Sequence, residues 1–505
     1  MKYYLGVDNG GTTTKAALFD EQGTQVFSAV EKTCAMYPFP DFVERDMEEM
    51  WEANCSVIRK VIEGSGVYAG DIRAVAICGH GKGLYLWGKD NKPCRYGIIS
   101  TDNRAYEYPV KWKEDGTEDQ YFAYTCQHIM ACQPIPILAW LKDNEPEVLK
   151  NVQYIFAAKD YIRFRLTGEA YAERTDYSGD GLIDLHTGEK DPRILEIFGL
   201  EELNGALPPL KNSTDLCGRV SREAAERTGL IEGTPVAGGM FDINACALSA
   251  SVADPDHVCM VAGTWSINEF ILPSPVTDGR ILMNSLFCIP GWYLVEESSA
   301  TSAGNLAWYL RNLAQKSDDI YTVINKEVAS ISPTDSCPIF LPFLMASNAQ
   351  PNAKSCFVGI NAYHTRPHIV RSIYEGIAFC HRWHYEKLRN CMDKDPQSIR
   401  LVGGAARSKE WTQIFADVMK LPIETSASEE TGAHGCAIVA AITAGDHPDI
   451  ASALKTMTHL APAVLPREEF YDIYDKKYAL YKKIIELLGP VWDDFSALYK
   501  GDSHA

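Results

Sequence analysis

The chain has 505 residues, 46% hydrophobic and 23% charged, and this ordinary globular composition over such a length predicts two domains. Acidic residues outnumber basic ones by 67 to 48, so the net charge is −19 with no basic stripe, which argues against a nucleic-acid partner. No apolar run approaches the length of a membrane span, and the 15 cysteines are scattered singly, so we expect a cytoplasmic protein with reduced thiols.

A predicted β-hairpin opens the chain and carries the first candidate site. Residues 3–7 and 16–19 are strand-like, and the segment between them reads Asp8-Asn9-Gly10-Gly11-Thr12-Thr13-Thr14-Lys15. A Walker loop or a dinucleotide-binding loop opens a helix, and no helix follows here, which excludes both. The paired glycines, the threonines and the lysine have the chemistry to face an anion, and Asp8 that to hold magnesium through water. An ordinary hairpin turn is the alternative.

A second hairpin of the same kind lies about half a chain later. Residues 258–272 again run strand, turn and strand, with Gly263-Thr264 at the turn. Self-similarity at this distance predicts two related domains that face one nucleotide.

A helix is predicted after the first hairpin, because Asp46 and Glu49 have capping-box spacing ahead of an amphipathic stretch. Asp46 is therefore expected to be a helix cap. Glu44 and Arg45, just before it, are expected at the surface, with a position facing a pocket as the alternative.

Two further candidate segments follow buried strands. In Gly79-His80-Gly81-Lys82-Gly83 the glycines would let a ligand approach the backbone, while His80 and Lys82 would hydrogen-bond its hydroxyl or carbonyl groups. A bare turn is the alternative. The apolar residues 98–99 lead to Asp102 and Arg104, which are either pocket residues or a structural ion pair.

The middle of the chain is predicted to be helical from residue 121 to residue 166 and to form a polar loop at residues 175–179. The buried run Val236-Ala237-Gly238-Gly239-Met240-Phe241 then ends at Asp242, ahead of a helix-forming stretch. Asp242 is either a helix cap or a general base.

In the second half, a long helix is predicted to start with Thr365 as its cap. The double glycine Gly403-Gly404 follows a strand and precedes a helix capped by Ser408, and a flat base or ribose could lie on these glycines. A small-residue helix is predicted from Thr431, and a last helix between Pro466 and Pro490.

Together, these segments resemble the FGGY family of carbohydrate kinases, which are sugar kinases of the actin-like ATPase superfamily. The resemblance covers essentially the whole chain. Its anchors are the Asp8–Lys15 loop, residues 238–242, Gly263-Thr264, and a signature running from Gly403-Gly404 through Ser408, Trp411 and Gln413 to Gly435. It implies an α/β fold of two actin-like ATPase (ribonuclease H-like) domains, residues 1–248 and 249–505, with a nucleotide cleft between them.

The resemblance also implies a role for each candidate residue. Asp242 would be the catalytic base and Asp8 the carboxylate associated with magnesium. The groups that bind ATP would be Thr12, Thr13 and Lys15 in the first phosphate loop, Gly263 and Thr264 in the second, and Gly403, Gly404 and Gln413 near the adenosine. The sugar pocket would hold His80, Lys82, Asp102 and Arg104.

The activity implied is ATP-dependent and magnesium-dependent phosphorylation of a small ketose, with L-xylulose converted to L-xylulose 5-phosphate. Gly81-Lys82 replaces a Met-His pair common in D-xylulose kinases, which argues against D-xylulose. The alternatives are another pentulose or polyol, such as D-xylulose, ribulose or glycerol, and an actin-like ATPase without a sugar substrate. A homodimer is common in the family.

Overall fold

The computed structural model describes residues 1–314, 319–345, 347, 349–350 and 352–499. The strands before residue 254 are β1 (Tyr3–Asn9), β2 (Thr13–Asp20), β3 (Gln25–Lys32), β4 (Glu44–Arg45), β5 (Ile72–Gly79), β6 (Tyr85–Gly88), β7 (Gly97–Ile98), β8 (Val152–Phe156), β9 (Ala172–Glu173), β10 (Leu210–Lys211), β11 (Leu216–Arg219), β12 (Pro235–Ala237) and β13 (Met240–Phe241). The helices of the same part are α1 (Met47–Ser65), α2 (Glu107–Glu114), α3 (Thr117–Thr125), α4 (Pro134–Asn144), α5 (Pro146–Lys150), α6 (Ala158–Thr167), α7 (Arg174–Gly179), α8 (Pro192–Glu196), α9 (Arg222–Thr228) and α10 (Asp242–Ser249).

The rest of the chain alternates strands and helices in the same way. Its strands are β14 (His257–Ala262), β15 (Ser266–Leu272), β16 (Met283–Leu286), β17 (Tyr293–Ser299), β18 (Ile339–Leu341), β19 (Cys356–Val358), β20 (Ser398–Gly403) and β21 (Ile423–Thr425). Its helices are α11 (Gly304–Asn312), α12 (Ile320–Ala329), α13 (Arg366–Arg389), α14 (Lys409–Met419), α15 (Thr431–Thr443), α16 (Ile450–Met457) and α17 (Tyr471–Tyr499).

These elements form two compact units that do not follow the chain without interruption. The first contains Met1–Ala253, Ile271–Val295 and Ser428–His459, and the second contains the described residues of Asp254–Phe270, of Glu296–Ala427 and from Leu460 onward. The division into residues 1–248 and 249–505 stays a prediction.

The first unit is built on a mixed sheet with the order β11-β12-β5-β1-β2-β3, to which β13 adds beside β5. Strands β1, β5, β12 and β13 run parallel, while β2 and β3 continue β1 as antiparallel hairpins. Their apolar side chains bury Trp51 and Ile58 of α1 on one face. Helix α15 lies so close to β1 that a Cβ on Gly6 would sit 1.8 Å from the carbonyl oxygen of Ala433.

The second unit repeats this topology. Its sheet contains the order β17-β15-β14-β20-β21, with β14 antiparallel to β15, and β20 parallel to both β14 and β21. This is the order β3-β2-β1-β5-β12 of the first unit. The two hairpins therefore occupy equivalent positions, as the internal similarity predicts.

Several local predictions are confirmed. Asp46 caps α1 and accepts hydrogen bonds from the backbone N–H groups of Glu48 and Glu49. Thr365 caps α13, and Ser408 caps α14 by accepting from Trp411 N. Short polar side chains at these positions satisfy N–H groups that a helix start leaves without partners.

Three other local predictions are wrong. The stretch 121–166 is not helical throughout, because the aromatic and β-branched segment Val152–Phe156 pairs with β6 as β8. Residues 175–179 belong to α7 rather than to a loop, since Glu173 caps that helix. Helix α17 continues past Pro490, and Ile485 and Trp492 on either side of the proline are buried, so packing overrides the helix-breaking proline.

Across the described residues, none of the helices combines the length and the apolar character needed to cross a lipid bilayer.

Candidate active site

The carboxyl ends of parallel strands in the first unit bring two carboxylates to one edge of the sheet. Asp8 on β1 lies opposite Cys78 on β5, and Phe241 on β13 lies opposite Gly79, so that Asp242 follows on the other side of β5. Burial raises the pKa of the Cys78 thiol, and the charges of Asp8 and Asp242 both add to this rise. Both carboxylates thus act on one buried group, at the sheet edge where α/β proteins bind ligands.

Asp8 lies in a buried position, where an ionised carboxylate is unfavourable unless a cation lies nearby. Burial raises its pKa, while the charge of Lys15 and a hydrogen bond from Cys78 oppose that rise. Gly432, in the first turn of α15, lets the carboxylate come close, because a Cβ there would lie 2.6 Å from Asp8 Oδ2. A divalent cation at this carboxylate would offset the cost of burial.

The turn of the first hairpin presents some of its threonines and hides another. Thr12 is exposed and Thr13 is half-buried. Thr14 is buried, and its hydroxyl donates to Asn9 Oδ1 at 3.3 Å, so it is not presented. Among the described residues other than its chain neighbours, no heavy atom would lie within 4 Å of a Cβ on Gly11, which leaves open space beside that backbone.

Lys15 forms an ion pair with Glu430, which directly precedes α15, with Lys15 Nζ 2.9 Å from Glu430 Oε2. The Lys15 side chain is 36% exposed and the Glu430 side chain is 18% exposed. The ammonium is therefore placed beside the turn and held by a partly accessible carboxylate, from which an anionic ligand would have to compete for it.

Arg45 and Glu44 are buried, so the expectation that they lie at the surface is wrong. Arg45 donates through its guanidinium to the carbonyl oxygens of Gly10, at 3.4 Å, and Gly11, and thereby supports the turn of the first hairpin from below. Glu44 pairs with Arg95 and with Arg104. Sequence reasoning missed both residues because a charged pair ahead of a helix cap is usually solvated.

His80 is held as a neutral imidazole. Its backbone N–H donates to Asn9 O at 3.0 Å, and its ring contacts Gly81 O through Nδ1, at 3.2 Å, and the Tyr85 hydroxyl through Nε2, at 2.9 Å. Burial, with a smaller contribution from Arg45, lowers its pKa to about 4. A carbonyl can only accept, so Nδ1 carries the proton and Nε2 accepts from the tyrosine.

Lys82 adopts a left-handed conformation with φ 64°, which is uncommon outside glycine. Its backbone N–H donates to Asp180 Oδ1 at 2.6 Å, and its ammonium donates to Gly179 O and lies 2.8 Å from Met283 Sδ. The ammonium also lies 5.5 Å from the centre of the Phe241 ring. The buried side chain is thus fixed above the residue that precedes Asp242.

The glycines around His80 and Lys82 serve packing within the protein. A Cβ on Gly81 would come 2.5 Å from the Phe241 ring, and one on Gly83, whose φ is +78°, would come 2.4 Å from Ile98 O. Room for a ligand beside the backbone, which the sequence suggested, is therefore not what these two glycines provide.

Asp102 and Arg104 form the buried ion pair that the sequence left as an alternative. Arg104 Nη2 lies 2.8 Å from Asp102 Oδ2, and neither side chain is exposed. Asp102 also accepts from Val43 N at 2.6 Å, and Phe42 stacks on the guanidinium at 4.2 Å. The structure shows them as parts of the wall that holds the segment before α1, while their contact with a sugar stays a prediction.

Asp242 is the first residue of α10 rather than its cap, which is Phe241. The side chain is half-buried. The backbone N–H of Phe241 donates to the Thr175 hydroxyl at 2.9 Å. The Asp242 carboxylate therefore stands at the junction of strand β13 and helix α10, and the Thr175 hydroxyl holds the backbone of that junction.

In the second unit, the turn of the second hairpin lies beside the double glycine. Register pairs Ala262 with Gly403, so the Gly263-Thr264 turn and Gly404 leave neighbouring parallel strands together. Beyond the chain neighbours of Gly263, the nearest atom in the described part of the chain would lie 3.9 Å from a Cβ there, and Thr264 is exposed. Gly403 has φ +88°, so it turns the chain in a conformation that other residues avoid.

Gln413 lies on α14, with its amide nitrogen engaged by the protein. It donates to Asp417 Oδ1 at 2.9 Å and to Leu465 O at 3.0 Å. A contact with adenosine stays a prediction.

Sequence reasoning also missed a buried network of charged side chains behind Asp242. Its members are all at most 1% exposed: Lys159, Asp160, Arg163, Glu173, Asp176 and Asp180. Lys159 Nζ lies 2.7 to 3.4 Å from three of the carboxylates. Burial raises the pKa of Asp180 to about 6. The available signal was the position of Lys159, Asp160 and Arg163 on a helix that otherwise reads as buried.

Comparison with known proteins gives the family. The N-terminal domain of the FGGY family of carbohydrate kinases matches residues 3–249, and the C-terminal domain of that family matches residues 258–444. The chain is 36% identical over 489 residues to a protein named L-xylulose/3-keto-L-gulonate kinase from Escherichia coli K12, covering 96% of this chain and 97% of that relative. It is 37% identical over 492 residues to a probable L-xylulose kinase from Pasteurella multocida Pm70, covering 97% and 99%.

The solved structure of a xylulose kinase from Rhodospirillum rubrum has a TM-score of 0.85 with this chain at 25% identity, covering 97% of this chain and 100% of the other. The α/β fold class predicted from the sequence is thereby confirmed. The chain belongs to the FGGY family of carbohydrate kinases.

Proposed function

We propose that this carbohydrate kinase transfers the terminal phosphoryl group of ATP to a small ketose, converting L-xylulose to L-xylulose 5-phosphate. The observation that carries the proposal is an identity of 36% and 37%, over nearly the whole chain, to two relatives whose names contain L-xylulose. Convergence of Asp8 and Asp242 on one sheet edge supports the same chemistry.

Asp242 is the proposed general base. Its carboxylate stands at a helix start and would accept a proton from the attacking hydroxyl. Phosphoryl transfer depends mainly on positioning and charge stabilisation, so the base needs a fixed position more than an unusual pKa.

The residues around Asp8 fit a magnesium ion. Magnesium keeps most of its waters and binds proteins through one or two carboxylates plus substrate phosphates, and a single partly buried carboxylate beside an anion-binding turn matches that habit. Within the described part of the chain, no cluster of three or more metal-binding side chains exists, so an all-protein cage is not formed there. When bound, the ion would neutralise phosphate charge.

The phosphates of ATP would meet Thr12, Thr13 and Lys15 in the first unit. Gly11 leaves its backbone accessible, and Lys15 supplies a cation beside it. In the second unit, the turn at Gly263-Thr264 would be the other phosphate loop, and Gly403, Gly404 and Gln413 would lie near the adenosine. Open space at Gly263 supports this assignment.

The sugar would be bound by groups at the end of β5. His80 is neutral because burial lowers its pKa to about 4, and a sugar hydroxyl would bind its ring by replacing Gly81 O or the Tyr85 hydroxyl. Lys82 would supply a buried cation, and Asp102 and Arg104 would shape the wall of the pocket. A second candidate substrate is 3-keto-L-gulonate, which the name of the Escherichia coli relative contains and whose carboxylate a buried lysine would suit.

The test is ADP release with ATP and magnesium across L-xylulose, 3-keto-L-gulonate, D-xylulose, L-ribulose, D-ribulose and glycerol. The highest kcat/KM should belong to L-xylulose, and phosphorus NMR should place the new ester on C5. Preference for another acceptor would keep the mechanism and replace the substrate. ADP release at one rate with every sugar would overturn the ketose kinase and favour an ATPase without a sugar.

Two further features stay with this proposal. A cytoplasmic location agrees with the 15 cysteines, which are reduced and form no disulfide among the described residues. A homodimer is proposed from the habit of the family.

A further inference from the structure

Thr175, at the start of α7, links a buried carboxylate to the residue that precedes the proposed base. Its hydroxyl accepts from Phe241 N at 2.9 Å and donates to Glu173 Oε2 at 2.7 Å. Thr175 is 2% exposed and Glu173 is fully buried. A chain of hydrogen bonds thus runs from the Glu173 carboxylate through the Thr175 hydroxyl to the backbone N–H of Phe241, next to Asp242.

Glu173 is itself fixed by its surroundings. It accepts from Thr175 N at 3.0 Å and from the Ser213 hydroxyl at 2.8 Å, and Lys159 Nζ lies 3.4 Å from it. Because these neighbours donate to the carboxylate, it serves as an acceptor towards Thr175 as well. The single hydroxyl proton of Thr175 is therefore committed to Glu173, and the oxygen lone pair is left for Phe241 N.

The Phe241 side chain is held as firmly as its backbone. Its ring lies over Gly81 and Gly179, where a Cβ would come within 2.5 Å and 2.9 Å of ring atoms. With the ring seated on two glycines and the N–H fixed by Thr175, the start of α10 has little freedom to rotate. Asp242 is the next residue, so the fixed backbone of Phe241 also fixes the position of the Asp242 carboxylate.

We propose that Thr175 is a positioning residue for the phosphoryl-transfer step, setting the place of the Asp242 carboxylate through the backbone of Phe241. The inference rests on the proposed function. A mispositioned base still leaves the substrates bound, so the loss falls on turnover rather than on affinity.

The first experiment compares Thr175→Val, which keeps the shape and removes the hydroxyl, with Thr175→Ser, which keeps the hydroxyl. We expect Thr175→Val to lower kcat by roughly 10- to 100-fold, below the full contribution of a general base, with the KM for ketose and for ATP within about twofold. Thr175→Ser should recover most of the loss. Equal losses in both variants, or a loss confined to KM, would overturn the proposal.

A matched control is Thr228→Val. Thr228 is also a fully buried threonine, and its hydroxyl donates to a backbone carbonyl, that of Ala224, at 2.7 Å. We expect this variant to keep kcat while losing stability to a similar degree in urea. If kcat falls as far as in Thr175→Val, the effect is one of stability and the proposal fails.

The decisive readout is a double-mutant cycle with Asp242→Asn. If Thr175 acts through Asp242, Thr175→Val adds little further loss once the carboxylate is gone, whereas a full independent loss would overturn the proposal. If Thr175→Val does not fold, Thr175→Cys, with its weak hydrogen-bonding thiol, takes its place in the cycle. A wild-type protein that phosphorylates no ketose would refute the proposed function, whereas an additive cycle in an active kinase refutes only the role of Thr175.

Discussion

Lys15 forms an ion pair with Glu430, and removing that carboxylate should strengthen ligand binding, whereas a substitution in a binding site usually weakens it. Lys15 is proposed to bind a phosphate, yet its ammonium is 2.9 Å from the Glu430 carboxylate, and both side chains are partly exposed. ATP must therefore displace this carboxylate and approach its negative charge. Glu430→Gln removes that competition, so we expect tighter binding of ATP rather than weaker binding.

The size of the effect follows from the exposure of the pair. Partly exposed ion pairs contribute about 0.2–1 kcal/mol, and removing a like charge near the phosphates adds a term of similar size. Together these terms amount to about 0.4–2 kcal/mol and predict a Kd for ATP lower by about 2- to 30-fold, since roughly 1.4 kcal/mol corresponds to a factor of ten. The charge of Glu430 also raises the pKa of Asp8, so Glu430→Gln should favour the ionised Asp8 as well.

Calorimetric titration of ATP with magnesium, with and without 0.5 M salt, measures this effect. Glu429→Gln is the control, because it removes the same charge from the exposed neighbouring residue. In a Lys15→Met background, Glu430→Gln should lose about half of its effect, because only the removal of the like charge near the phosphates remains. An unchanged or weaker affinity in Glu430→Gln, or an equal gain in Glu429→Gln, would refute the competition between carboxylate and phosphate.

Three further predictions concern the carboxylates and the buried histidines. Asp242→Asn should lower kcat by about 10²–10⁴-fold while the Kd for ATP is retained, and near-normal turnover would remove Asp242 as the base. Asp8→Asn should lose magnesium-dependent turnover yet gain stability in urea at pH 8, because burial disfavours the carboxylate; a less stable variant would contradict this. Burial lowers the pKa of three histidines, His80, His381 and His434, to about 4, 3 and 4. At these histidines the unfolded chain therefore binds more protons below pH 6.5, which lowers the free energy of unfolding from pH 6.5 to pH 4, while the raised pKa values of Asp8 and Asp180 oppose this fall. His434→Gln should remove one of the three contributions and make the fall in urea shallower than in the wild type; an equal slope would exclude this linkage.

Elements whose signals are local could be predicted from the sequence. Asp46, Thr365 and Ser408 were found as caps because the preference for short polar side chains at helix starts depends on a few neighbouring residues. The sequence predicts the hairpins because a glycine turn between two apolar runs is compatible with few other structures. The same holds for the placement of Asp242 at a helix start.

Features that depend on distant partners could not be predicted. Arg45 is buried because the carbonyl oxygens of Gly10 and Gly11 lie above it, and no pattern near residue 45 reports that contact. Pro490 lies inside a helix because buried residues on either side hold the chain. The sequence predicts that Gly81 makes room for a ligand, whereas the group that lies against it is the ring of Phe241, 160 positions later in the chain.

The repeated strand order shows how one scaffold supplies two kinds of group. In the first unit, Asp8 on β1 lies opposite Cys78, one pair before the end of β5, and brings a carboxylate to the sheet edge. In the second unit, the equivalent pair joins Val261 to Val402 and the last pair joins Ala262 to Gly403, so that edge carries apolar side chains and bare backbone where the first unit carries a carboxylate. Charged side chains suit the reacting end of a phosphoryl transfer, and bare backbone suits a flat or anionic ligand that needs close approach. Placing a carboxylate at residue 261, the position equivalent to Asp8, should therefore weaken nucleotide binding without restoring any activity lost in Asp8→Asn, because the two edges have the same topology and different chemistry.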